Sequence, residues 1–190
     1  MPAIVDYPVV LNVLESDGLR CNYFNSGSFG LATVDSNNIV GWLAGDDPTV
    51  HTALRQRCRL VAPPAGRSLA GLLSTAWQRL LAGSAWLMPA SHWAYELQFG
   101  NSAWLGTLLA GAGIDPAALA ARTDGSAIEF AAGEADVLRA VLETIIPSLR
   151  NSDFTLAFPG RRAIATLHHH QQIWWQSDNA AMCAALLAMA

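Results

Sequence analysis

The first quarter of the chain is patterned in short apolar runs. Val9, Leu11 and Val13 interleave with Val10, Asn12 and Leu14, and Ser16-Asp17-Gly18 follows with turn chemistry. Residues 19–24, 29–34 and 39–43 repeat the theme, separated by Asn25-Ser26-Gly27-Ser28 and Asp35-Ser36-Asn37-Asn38. This pattern predicts an N-terminal β-meander within residues 4–43.

The period becomes helical after Asp47-Pro48. Aspartate can cap free N–H groups there, and proline, which has no N–H, suits the first turn. Val50, Leu54, Cys58 and Val61 predict a helix that Pro63-Pro64 stops. A clearer stripe follows Ser68: Leu69, Leu72, Leu73, Ala76, Trp77, Leu80 and Leu81, closed by Gly83. Residues 85–98 read both ways, since Trp86, Trp93 and Tyr95 favour strand and Pro89 divides the segment. Further helices are expected after Asn101 or Ser102, after Asp115-Pro116 and over 134–146, with a short strand at 127–130.

The chain then reads as a hairpin. Phe154, Leu156 and Phe158 alternate with Thr155 and Ala157, and Pro159-Gly160 supplies a turn. A second strand is predicted from about 162 to 175. Its apolar face is Ala163, Ala165, Leu167, Ile173 and Trp175, with His169 among them. Asp178 or Asn179 caps a last helix carrying Met182, Cys183, Leu186 and Leu187. The whole predicts an α+β fold: one antiparallel sheet from the N-terminal meander and C-terminal hairpin, with helices between and after. No repeat or long Gly/Ser linker divides residues 1–190, so a single globular domain is expected.

Composition narrows the class. The 190 residues are 52% apolar, with mean hydropathy +0.26, which excludes intrinsic disorder. The uncharged run 97–114 holds Gln98, Asn101, Ser102 and four glycines, so it reads as loop and buried helix, not a membrane span. The start, MPAIVDYPVV, lacks the basic region of a secretory signal. Cys21, Cys58 and Cys183 fit neither a disulfide framework nor zinc spacing, which points to a reducing cytoplasm. All eleven basic residues are arginine, and the alanine-rich, lysine-free composition suggests a GC-rich bacterial genome.

Charge is unevenly placed. The net −4 argues against binding nucleic acid through the whole surface. Residues 48–95 nevertheless hold five arginines and no acid. Arg55, Arg59 and Arg67 in that stretch are candidate anion-binding residues, with Arg55 and Arg59 sharing a predicted helix face. Pairing with the acidic flanks is the competing reading.

The histidines are the other candidates. Strand geometry predicts His168 and His170 on one face and His169 on the other. Two imidazoles at i and i+2 can hold a divalent metal or act as acid and base. His92 and Glu96, at i and i+4, are expected to share a face and could complete a two-histidine, one-carboxylate set. The candidate catalytic residues are therefore His168, His170, His92 and Glu96, with His168 and His170 as metal ligands. Asn25 to Gly30, NSGSFG, matches no phosphate-binding fingerprint, and no cofactor motif is complete.

These features predict a non-catalytic binding or interaction module. It is expected to form a homodimer through its C-terminal helix, outside the membrane, with no cofactor beyond a divalent metal. The alternatives are a metal-assisted or histidine-based hydrolase and an anion- or nucleic-acid-binding module. The sequence names no small-molecule ligand.

Overall fold

A computed structural model describes residues 1–17, 56–61, 68–150, 152–177 and 179–189, with 56–61 described as backbone. The fold is α+β. Strand β1 (Ala3–Val5) leads into helix α1 (Tyr7–Ser16), and β2 is Gln56–Val61. Helix α2 (Leu69–Ala76) widens into a π turn at Trp77–Leu81 before β3 (Ala85–Pro89). One helical turn, α3 (Trp93–Tyr95), runs into a second π turn, Glu96–Gly100. Then come α4 (Leu105–Gly111), α5 (Pro116–Ala120), β4 (Ala127–Phe130) and α6 (Ala135–Ser148). Strands β5 (Phe154–Ala157), β6 (Ala163–His168) and β7 (Gln172–Ser177) precede α7 (Ala180–Met189).

The seven strands form one sheet in the order β1-β4-β3-β5-β6-β7-β2, and every neighbouring pair is antiparallel. Alternation sorts the central strands onto two faces. Leu87, Ile128, Phe154, Leu156, Ala165, Leu167, Ile173 and Trp175 join the main core with α2, α4, α6 and α7. Trp86, Met88, Ala127, Ala157 and Ile164 form a second cluster with Val10 and Leu14 of α1. Both faces at the sheet centre are thus covered. Among the described residues, no helix is long and apolar enough to cross a membrane.

Several expected signals operate as read. The Ser68 hydroxyl accepts from Gly71 N–H at 2.9 Å and Asp115 accepts from Ala117 N–H at 2.9 Å. Gly83 and Gly160 take positive φ at the ends of α2's π turn and in the β5–β6 turn. The ambiguous stretch 85–98 divides at Pro89 into strand and helix.

Three expectations are corrected. Residues 9–14 are helical, not a meander strand: Pro8 sits in the first turn after Asp6, and Val10 and Leu14, one turn apart, are fully buried. The remaining meander strands, 19–43, lie outside the described residues. Residues 56–61, expected in a helix, pair instead with β7, so the helix-face argument for Arg55 and Arg59 lapses. Edge pairing along six residues outweighs the weak helical stripe. Finally, the strand predicted through the histidines is broken at 169–171 by a reversal. Gln171 N–H donates to the His168 carbonyl at 2.9 Å, and Gln171 takes φ +57°. That is a three-residue hairpin loop whose last residue is left-handed.

Candidate functional site

The turn gathers the three histidines. One ring nitrogen from each of His168, His169 and His170 lies within 4.8 Å of the others. The rings of His168 and His169 stack at 4.3 Å, and His170 lies 4.3–4.8 Å from both. His169 is consequently not in the core; it joins the cluster expected of His168 and His170 alone, because the reversal ends strand alternation at His168.

Asp153 anchors this cluster. Its Oδ1 accepts from the His169 backbone N–H at 2.9 Å and lies 2.8 Å from His169 Nδ1; its Oδ2 is 3.9 Å from His168 Nε2. An ionised carboxylate only accepts, so His169 Nδ1 is the donor of this pair and Nε2 is the ring nitrogen turned to other partners. The His170 backbone N–H donates to His168 Nδ1 at 3.2 Å, which assigns the His168 proton to Nε2, toward Asp153. Burial first, then the like charges of His169 and His170, hold the His168 pKa below the usual 6.5, against the pull of Asp153. The lowered pKa favours His168 as a neutral, ligating imidazole. The register Phe154↔Leu167, extended by one residue, sets Asp153 opposite His168. The signal for Asp153 in the sequence is its place one residue before Phe154, at the end of the predicted hairpin opposite the histidines.

Glu96 occupies an adjoining, enclosed site. It is fully buried at the start of the second π turn. Ser91 Oγ donates to its Oε1; Asn101 Nδ2 donates to Oε2 at 2.6 Å and Ser152 Oγ at 3.2 Å. Asn101 Nδ2 also reaches Ser152 Oγ at 2.7 Å. Burial pushes the Glu96 pKa above its usual 4.5; the three hydrogen bonds oppose this and the Asp153 charge adds to it. Gly100 completes the enclosure, since a Cβ there would collide with the Glu96 carboxylate. Ser152 links the two sites through the chain, as it touches Glu96 and is followed by Asp153.

His92 caps α3 in extended conformation, so helical spacing does not align it with Glu96. Its Nδ1 accepts from Tyr95 N–H at 3.1 Å. Burial lowers its pKa, while the Arg122 carbonyl and Asp124 beside it raise it. Arg59 stands opposite Trp174 in the β2–β7 register, and Arg55 and Arg67 lie outside the described residues. No protein-family model matches the chain, and comparison with curated proteins and with solved structures gives no significant match either.

Proposed function

We propose that this protein is a binding module for a divalent transition metal, held at the β6–β7 turn by His168, His169 and His170. The convergence of three imidazole nitrogens within 4.8 Å is the observation that carries the reading. A tetrahedral centre with bonds of about 2.0–2.1 Å needs donors about 3.3 Å apart, so the rings draw inward on binding. Asp153 fits the role of an outer carboxylate that orients ligating histidines through their other ring nitrogen. Ligation through His168 Nδ1 replaces only its contact with the His170 N–H, in a turn open to water.

Metal content and titration with Co²⁺ or Zn²⁺, using protein prepared without an affinity tag or chelator, test this. One ion per chain is expected. His168→Ala, His169→Ala and His170→Ala should each weaken binding at least tenfold, and Asp153→Asn by about 10–100-fold. Undiminished binding by the triple alanine variant, or no stoichiometric ion, would reject the reading.

Metal-assisted hydrolysis stands second, favoured by the raised pKa of Glu96 beside the cluster. Full burial keeps Glu96 from touching a substrate, so binding without catalysis is the preferred conclusion. Self-association in a bacterial cytoplasm belongs to the same reading, supported by the exposed side chains of Leu187 and Phe99 and by the lysine-free composition.

A further inference from the structure

A cleft of ≈ 540 Å³ runs along α2 between α6 and the end of α7. Its size falls in the range of small-molecule sites. Ser68, Leu72, Thr75 and Arg79 recur along one stripe of α2 and its π turn, and all four line it. Arg139 enters from α6, and Met189 closes one wall. Among the described residues, no carboxylate side chain lines the cleft.

The two arginines stand at different points of this stripe. The Arg139 guanidinium lies over Gly71, its Cζ and Nη2 3.9 Å from where a Cβ would stand, beside the Ser68 hydroxyl at the positive end of α2. Arg79 is eight residues further on, about 12 Å along the helix. Arg139 donates through Nε to Glu143 at 2.9 Å in an exposed pair, which leaves its Nη edge for a ligand. Among the described residues, Arg79 has no ion-pair partner.

We infer that this cleft binds a small organic molecule carrying two phosphate groups. One phosphate meets Arg139 and Ser68, the other meets Arg79, and the connecting carbon skeleton lies on Leu72 and Met189 with the Thr75 hydroxyl beside it. A planar guanidinium matches phosphate in two-point geometry, and joining two phosphates makes the second contact intramolecular.

Calorimetric titration of the metal-free, chelator-treated and dialysed protein tests this without interference from the histidine cluster. The probes are 1,6-hexanediol bisphosphate, inorganic phosphate and octanedioate. The bisphosphate should bind one to one and at least tenfold more tightly than phosphate. Arg79→Ala and Arg139→Ala should each erase that advantage. Both side chains are exposed, so circular dichroism should be unchanged, and Arg150→Ala, outside the cleft, should bind as the parent does. A bisphosphate no tighter than phosphate, octanedioate binding as tightly as the bisphosphate, or arginine variants that keep the advantage would each overturn the assignment.

Discussion

Glu96 shows how one carboxyl can be enclosed by neutral donors instead of by a cation. Its three side-chain hydrogen bonds come from Ser91, Asn101 and Ser152. They stabilise the ionised form, yet burial outweighs them and the pKa rises. A carboxyl with a raised pKa binds its proton more tightly in the folded state than in the unfolded chain. Its stabilising effect is full below the unfolded value of 4.5 and is lost as pH rises through the folded value. Glu96→Gln removes that loss while keeping one oxygen for Asn101 and Ser152 and one amide donor for Ser91. Thermal melts at a series of pH values should show the variant gaining on the parent from about pH 4.5 upward. A difference that stays constant with pH would count against a raised pKa. None of this site was visible in the sequence beyond Glu96 itself. Ser91, Asn101 and Ser152 are ordinary polar residues until the fold brings them to one carboxylate.

At the scale of elements, turn chemistry fixed what strand and helix patterns left open. Ala82 ends the π turn after α2 with φ 53° and ψ −179°, a region occupied almost only by glycine. The conformation is held by Ala82 N–H to the Trp77 carbonyl at 2.8 Å and by Trp77 Nε1–H to the Gly83 carbonyl at 3.2 Å. Ala82→Gly relieves the strain and should raise stability by about 1 kcal/mol, or about 2–4 °C in Tm. Differential scanning fluorimetry reads this directly, and an unchanged or lower Tm would contradict it. The same features explain which elements the sequence revealed. Ser68, Asp115, Gly83 and Pro159-Gly160 announced their caps and turns because one residue type suits each backbone position. Helix α1 was hidden because Val9–Leu14 is apolar on both strand and helix periods, and the deciding Asp6 and Pro8 lie upstream. The histidine turn was hidden because it has no glycine or asparagine; Gln171 supplies the left-handed residue instead.

For the whole molecule, the question is where the last helix directs its apolar side chains. A sheet whose main face carries α2, α4 and α6 still needs a cover near β7, and α7 takes that place. The stripe expected to mediate self-association is accordingly divided. Cys183 and Leu186 are buried in the protein's own core, Met182 packs partly against it, and Leu187 is 52% exposed. A self-associating surface on α7 must then depend on Leu187 and not on Leu186. Leu186→Ala leaves a cavity in the main core and should cost about 2–5 kcal/mol in urea unfolding. Leu187→Ala should change stability by no more than about 0.5 kcal/mol. In sedimentation velocity at high micromolar protein, a dimer built on α7 should weaken with Leu187→Ala while the fold stays intact. If the parent sediments only as a monomer, or if its dimer is indifferent to Leu187→Ala, then α7 serves only to close the core over β7.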